Sequence, residues 1–403
     1  MTDRKYKDII DYFHKISAGT KWEGHLYAVG GCVRDEILGS EIHDVDIAVD
    51  IPNGGIGFAR WLERKHRVIG SPVLFQKFGT AKLRLRSFPD EEIELVQTRA
   101  EKYTDRTSRC PEVVSGSIKD DCFRRDFTVN TLYRNIKTGE ILDMTGRGIH
   151  DIRQGVIRTP LDPYETFDDD PVRILRCLRF AARFGWEIEP SVMEALAGSI
   201  DRLAIVSRER WGAEFRKMLF GKNIRRSLGE LCRLGGLRFM NPVMAELSAK
   251  RDPDGRTLLE AGIDDAARLE DEGIDDQAER LAAVFGRMGM LRTEVRDRNG
   301  EVRYPRHEHV GGLMAARFLK RMGVEPEVAE RVKQIIQARG EERLRKDRRR
   351  KMERHQEQVR QQKEDKAKRR KERAERHAAL LEEHTKRRPS RRRKRSKAKT
   401  DPA

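Results

Sequence analysis

The apolar residues of this chain change their period once, near Thr159-Pro160, and that switch limits what the chain can fold into. Ahead of it, short β-branched or apolar runs at 25–29, 45–49, 82–86, 93–97 and 140–143 alternate with turn signals and one or two helical stretches. Such a mixture predicts a compact α/β head over residues 1–158. Behind it the spacing is helical. Between Pro171 and Gly185, residues Ile174, Leu175, Leu178, Ala181 and Ala182 form one apolar stripe, with Arg173, Arg176 and Arg179 off it. The proline and the glycine are ordinary start and stop signals. Further helices are expected at 191–199, 207–220, 226–234, 257–269, 277–288, 308–322 and 326–338, grouped as 159–245 and 246–338. The predicted class is therefore α+β, a mixed head followed by helical domains.

Beyond Arg339 the text is rich in Arg, Lys, Glu and Gln with hardly any large apolar residues, so it cannot bury a core and reads as a solvated helix or a disordered tail. This tail also explains the net charge of +17. Residues 339–403 hold 28 Lys/Arg against 12 Asp/Glu, leaving 56 against 55 for residues 1–338. Any affinity of the globular part for a polyanion must then come from local patches, with the tail adding a nonspecific contribution. The five cysteines are odd in number, scattered, and lack Cys-x-x-Cys spacing, which indicates neither a disulfide framework nor a zinc site. The N-terminus is charged where a signal peptide is apolar, and no run approaches a membrane span, so the expectation is a cytoplasmic protein with no membrane partner.

The chemistry concentrates first in residues 26–49. Gly30-Gly31 follows a predicted strand, Arg34-Asp35 comes next, and Asp44-x-Asp46 lies in the following strand. Alternate residues of a strand share a face, so Asp44 and Asp46 should project together while Val45 and Ile47 face a core. Two convergent carboxylates suit Mg²⁺, which takes oxygen ligands and shares them with substrate phosphates. The glycines allow a turn that brings backbone amides to a triphosphate. The alternative is a surface strand carrying two solvated acids, and an isolated Asp-x-Asp favours it.

Two later constellations bear on that choice. Arg124, Arg125, Asp126 and Asn130 combine guanidinium forks that match phosphate oxygens with an acid able to accept from a ribose hydroxyl; a surface salt-bridge cluster is the competing account. Asp168-Asp169-Asp170 precedes the arginine-studded helix, and acids there are first of all helix caps. Yet Asp170 and Arg173, three residues apart on one helical face, would form an acceptor beside a donor. Cytosine and adenine both present an amino group next to a ring-nitrogen acceptor, so one such pair could take C and A and refuse U and G.

The strings GGCVRDEILG…HDVDIAV, RRDFTVNTL, DMTGRGIHDIRQGVIRTP, DDPVRILRCLRFAARFG and SRERWGAEFRKML resemble, in order, the motifs of the class II tRNA nucleotidyltransferase and bacterial poly(A) polymerase family over roughly residues 25–220. The resemblance implies a polymerase-β-type nucleotidyltransferase head followed by helical neck, body and tail domains. It implies that Asp44 and Asp46 are the catalytic, metal-binding pair for two Mg²⁺ ions. It puts Gly30, Gly31, Arg34 and Asp35 on the phosphate-side turn, Arg124 and Arg125 on the triphosphate, and Asp126 and Asn130 on the ribose. Asp169, Asp170 and Arg173 fall on the amino-acid template, usually Glu-Asp-x-x-Arg, with Asp in place of Glu at 169; Arg176 and Arg179 follow on the nucleotide-binding helix. The expected substrates are ATP, CTP and the 3′ end and acceptor arm of tRNA.

Within that family, completing the CCA end of tRNA competes with adding poly(A). A Gly-Arg-Arg-Phe-like signature of the poly(A) polymerases is absent from residues 65–90, whereas residues 99–116 resemble the flexible loop of CCA-adding members, which favours CCA addition. The basic tail pulls the other way. A non-catalytic RNA-binding protein on the same head is the alternative from another class. Glu94 is open between a third carboxylate near the metals and an exposed strand-edge residue. Residues 280–336 resemble a His-Asp metal-phosphohydrolase domain, but Gly286-Arg287 stands where the metal-binding doublet would, so a degenerate version with no metal at His307 or His309 is expected.

Overall fold

A computed structural model of the chain describes residues 1–102, 112–252 and 254–386. Residues 1–337 form one compact unit and residues 338–403 a second. The elements of the head are α1 (Asp3–Ser17), β1 (Leu26–Val29), α2 (Gly31–Ile37), β2 (Val45–Val49), α3 (Gly54–Arg64), β3 (Val73–Phe75), β4 (Thr80–Leu85), β5 (Phe88–Gln97), β6 (Arg99–Lys102), β7 (Glu112–Ser115), α4 (Ile118–Phe123), β8 (Tyr133–Asn135), β9 (Ile141–Leu142) and α5 (Gly148–Gln154). Residues 103–111, most of the loop expected at 99–116, lie outside the described residues, as does Cys110.

Seven strands make one mixed sheet in the order β3-β4-β5-β2-β1-β8-β9, with β2 and β5 parallel. Its two faces follow from residue alternation. Val45, Ile47 and Val49 of β2, Ile93 and Leu95 of β5, and Leu26 and Ala28 of β1 enter the large core against α1 and α3. The opposite face is apolar only in part. Tyr27, Val29 and Ala48 pack there with Ile118, Cys122 and Tyr133 in a smaller core. Asp46, Glu94 and Lys82 occupy the same face in register across β2, β5 and β4.

The helical part runs α6 (Pro163–Asp169), α7 (Val172–Phe184), α8 (Pro190–Gly198), α9 (Arg208–Leu219), α10 (Glu230–Arg233), α11 (Leu237–Met240), α12 (Pro242–Ala249), α13 (Leu258–Asp271), α14 (Gln277–Phe285), α15 (His307–Arg321) and α16 (Pro326–Lys386). The large core continues from Tyr6 in α1 through Phe167 and Phe215 to Phe285 and Ile336, so the head and these helices share one buried interior. Three features differ from the sequence reading. Among its described residues the head holds five helices, α1 to α5, where one or two helical stretches were expected, and α6, α11 and α12 were not among the expected ones. Arg173, placed off the apolar stripe, is buried. The last helix runs to Lys386 rather than stopping near 338. Pairs such as Lys346–Glu342, Arg349–Glu353 and Arg360–Glu364, each four residues apart, support that extension without an apolar face. No described helix is long and apolar enough to cross a membrane. The four described cysteines are buried and free.

Candidate active site

Asp46 is the half-buried residue in a strand whose four other members are buried. Asp44 is exposed, one residue ahead of β2, and both line a cleft of about 970 Å³. Glu94 is not at a sheet edge: β5 lies between β4 and β2, and Glu94 stands beside Asp46 in register. Burial, then Glu94, and then Asp44 push the Asp46 carboxyl up to about 6, with Arg125 opposing. Glu94 is itself tempered by Lys82, 3.6 Å away.

The turn before these acids uses its glycines unequally. Gly30 alone has a left-handed backbone (φ 78°), and a Cβ there would meet the Arg125 guanidinium at 3.1 Å, so the turn needs glycine for conformation and for close approach. Gly31 begins α2 with an ordinary φ. One turn later Arg34 is buried, holding Asp35 at 2.8 Å and donating to Asn130 Oδ1 at 2.6 Å, with Phe184 beneath its guanidinium at 4.8 Å. Burial pulls its pKa down. Arg34 and Asp35 thus face each other as much as they face a ligand. Arg183 approaches Asp35 at 4.0 Å.

Arg124 and Arg125 are aimed by a residue that the sequence reading missed. Asp121, 1% exposed, accepts from Arg124 through Oδ1 and from Arg125 through Oδ2, and also from the Tyr133 hydroxyl. Burial alone would raise its pKa; Arg125 and Arg124 win and hold it far below the usual carboxylate range. The available signal was spacing. In Asp121-Cys-Phe-Arg-Arg the acid stands three and four residues before the cations, on one face of a helical turn.

Asp126 accepts from the Phe127 amide and Asn130 Nδ2 through Oδ1, and from Arg176 through Oδ2 at 2.7 Å. Against its burial, Arg176 holds this carboxyl down at about 2. Arg176 also lies 3.9 Å from Glu214, which takes Arg179 at 2.6 Å. Glu214, on α9, is a second missed residue; Arg179 and Arg176 lower its pKa against burial. The template positions are arranged differently from expectation. Asp170 is not on the helical face with Arg173 but in extended backbone (φ −148°) before α7. Its Oδ1 accepts from the Val172 amide at 3.2 Å, the capping role, and its Oδ2 from Arg210 at 2.6 Å. Arg173 donates to the backbone carbonyls of Thr166 and Arg124. Asp169 ends α6, half-buried beside them.

Asp46, Glu94, Arg124, Arg125, Asp126, Asp170, Arg173 and Arg176 line a second cleft of about 700 Å³ that shares Asp46, Arg125, Asp126 and Arg176 with the first. Around these clefts Asp35, Asp121, Asp126, Asp170 and Glu214 each have a guanidinium partner. The carboxylates of Asp44 and Asp46 have neither a hydrogen bond nor an ion pair among the described residues. Two acids left uncompensated beside a third fit a divalent cation. No group of three or more His, Cys, Asp or Glu suited to a metal occurs among the described residues, so water and a ligand's oxygens would complete the shell, as Mg²⁺ prefers. Farther along the chain, Arg287 pairs with Asp265, His307 Nδ1 lies 2.8 Å from the Tyr304 carbonyl, and His309 meets Gln337.

Comparison with known proteins gives these elements a context. Residues 26–158 match the family model described as Poly A polymerase head domain, and residues 185–247 the one described as probable RNA and SrmB- binding site of polymerase A. The mitochondrial CCA tRNA nucleotidyltransferase of Saccharomyces cerevisiae is 38% identical over 213 residues, 49% of this chain and 38% of that protein. The A-adding tRNA nucleotidyltransferase of Aquifex aeolicus is 38% identical over 178 residues, 43% of this chain and 20% of that one. The chain thus spans less than half the length of either relative. A solved tRNA nucleotidyltransferase complexed with a primer tRNA and an incoming ATP analog is 27% identical at a TM-score of 0.51, covering 76% of this chain and 79% of that one. A CCA-adding enzyme in an apo form is similar in fold, with a TM-score of 0.58 at 24% identity over 82% and 80% of the two chains.

Proposed function

The chain belongs to the family of class II tRNA nucleotidyltransferases and bacterial poly(A) polymerases, and from that premise we propose that it adds C, C and A to the 3′ end of tRNA from CTP and ATP, releasing pyrophosphate. The observation that carries this reading is the pair Asp44 and Asp46, without an ion pair among the described residues, in clefts where Asp35, Asp126, Asp170 and Glu214 are each held by an arginine. Two Mg²⁺ ions bound there would activate the RNA 3′-hydroxyl and offset the charge of the leaving pyrophosphate. The chain's own groups do the rest by position and charge. Arg125 and Arg176, each already held by a buried acid, present their remaining N–H groups to triphosphate oxygens without having to be ordered on binding. Asp126 and Asn130, joined at 3.0 Å, are placed to take the ribose hydroxyls.

Base choice rests on Asp170 and Arg173, with Asp169 beside them. For Asp170 to accept from a C or A amino group, the base must take the place of Arg210 on Oδ2 while Oδ1 keeps capping α7. Uracil and guanine offer a carbonyl there and would set two acceptors against each other. The head at 1–158 and the helices at 159–245 frame this site; 246–338 is read as a degenerate His-Asp domain, consistent with the internal bonding of Arg287, His307 and His309. The basic segment at 339–403 would add salt-sensitive RNA affinity. Buried, unbridged cysteines suit a reducing compartment such as the cytoplasm.

The test offers the protein tRNAs ending before CCA, after C and after CC, with CTP and ATP singly and together. Ordered addition that stops after A supports the proposal. Long A tracts on any RNA would instead make it a poly(A) polymerase, addition of A alone to the CC end an A-adding enzyme, and no incorporation an RNA-binding protein. Asp44→Ala is expected to abolish incorporation while leaving tRNA binding within about twofold; an active Asp44→Ala protein would refute the metal assignment.

A further inference from the structure

Resting on that reading, we infer that Phe75 and Phe78 form a stacking platform for unpaired bases near the 3′ end of the RNA. Both are large aromatic side chains left open, 40% and 43% exposed. Both line the cleft that holds Asp46 and Glu94. Their placement comes from the sheet. Strand β3 pairs with β4 so that Val73 stands opposite Lys82 and Phe75 opposite Thr80. Lys82 is in turn opposite Glu94, and Glu94 opposite Asp46. Alternation along β3 turns Val73 and Phe75 outward on the face of the acids and sends Leu74, half-buried, to the core side. Three strand spacings separate the rows, about 14 Å. That distance puts the platform beyond the reacting phosphate and within reach of nucleotides that precede it in the RNA.

The chemistry around the rings favours nucleic acid over an apolar protein partner. Lys77 lies 6.0 Å and Arg99 5.9 Å from the Phe78 ring centre, and Arg99 also donates to the Phe78 carbonyl at 3.4 Å, so two cations stand beside the Phe78 ring, placed to meet a phosphate backbone. Aromatic faces with cations between them are the recurring pattern of single-strand binding, and stacking accepts any base. That tolerance suits a site meeting a different 3′ end after each addition. The platform is also fixed in place: Phe78 ends a tight turn closed by Gly79 (φ +64°), where a Cβ would overlap Gln97. Val73 and Phe75 on the edge strand β3, with Ile69 before it and Phe78 after it, are four exposed apolar side chains that would otherwise be a liability there.

The test uses tRNA carrying 2-aminopurine within its last three nucleotides. Binding to the intact protein should quench the fluorescence, the Phe75→Ala/Phe78→Ala double variant should lose the quench and bind about tenfold more weakly, and Phe78→Trp in a Phe75→Ala background should restore both. In steady state the double variant should raise KM for tRNA about tenfold and leave KM for CTP and ATP unchanged. Unchanged quench and KM, or a rise in the nucleotide KM alone, would overturn the inference. Fluorescence reads the platform whether or not nucleotides are incorporated, so failure of the proposed reaction and failure of the platform are seen separately. A thermal midpoint equal to that of the parent confirms that the variant is folded, and the tryptophan rescue holds the comparison if it is not.

Discussion

At the residue scale the cleft divides its acids into those the fold compensates and those it leaves charged against resistance. Asp46 is of the second kind, with its carboxyl pushed up to about 6 by burial and by Glu94. A carboxyl whose pKa is raised on folding binds more protons folded than unfolded, so stability falls as pH rises from about 4 through 6. Asp46→Asn should therefore raise the thermal midpoint of the metal-free protein at pH 8, by roughly 2 kcal/mol of stability after allowance for part solvation, and leave it unchanged at pH 4. Calorimetry in a chelator checks it; an equal gain at both pH values would remove the electrostatic explanation. Asp121 is of the first kind, its pKa lowered by Arg125 and Arg124, and its stabilisation is present above pH 4 and lost in acid. Asp121→Asn should cost about 3 kcal/mol at neutral pH and, because both arginines lose their anchor, raise KM for the nucleotides more than KM for tRNA. Initial rates against each substrate decide this. Asp44, Asp46, Arg124 and Arg125 could be picked out from the sequence because each belongs to a short motif. Asp121 offered only its helical spacing from the two arginines, and Glu214 offered nothing local, because its role is to hold Arg176 and Arg179 from another helix.

At the scale of elements, the turn between β1 and α2 shows how a local rule becomes a site. Gly30 carries the left-handed conformation, and its missing Cβ lets the Arg125 guanidinium lie against the backbone. Gly30→Ala should cost about 1–2 kcal/mol in stability and, by displacing Arg125, weaken nucleotide binding several-fold; Gly31→Ala, in ordinary helical backbone, should do much less. Isothermal titration with a non-hydrolysable nucleotide compares the two. Helix α7 was legible from Pro171, Gly185 and its stripe, and its observed bounds are Val172–Phe184. Its first turn was not. Asp170 was read as a helical neighbour of Arg173, whereas the chain bends at Pro171 and leaves Asp170 extended, capping Val172 and paired with Arg210. Spacing along one sequence cannot foresee an arginine forty positions later.

At the scale of the whole molecule, one apolar core joins the head to the helical part, so the acids on β2 and the arginines on α7 share a rigid frame although more than a hundred residues separate them. The segment from residue 338 onward is a separate unit, and its described part is helix with charges paired four residues apart. It holds 28 cations against 12 anions over residues 339–403, so removing those residues should flatten the dependence of tRNA affinity on salt, most visibly below 0.1 M, and leave KM for CTP and ATP unchanged. Filter binding across a salt series reads the slope; no change in it would exclude the tail from RNA binding.

By itself the sequence determined the class of the fold, the faces of β2 and the helix α7, and it singled out the acids and arginines of the motifs as candidates, because each of these is set by periods of two or of 3.6 residues and by turn chemistry within a few positions. The tertiary structure alone decided which charges are spent on one another and which are left over. Arg34 on Asn130, Arg173 on the Arg124 carbonyl, Asp126 on Arg176 and Asp170 on Arg210 are pairings across the fold, and Asp44 and Asp46 are left without an ion pair among the described residues. Compensation depends on distances of a few ångströms between segments far apart in the chain, and no local pattern encodes those distances.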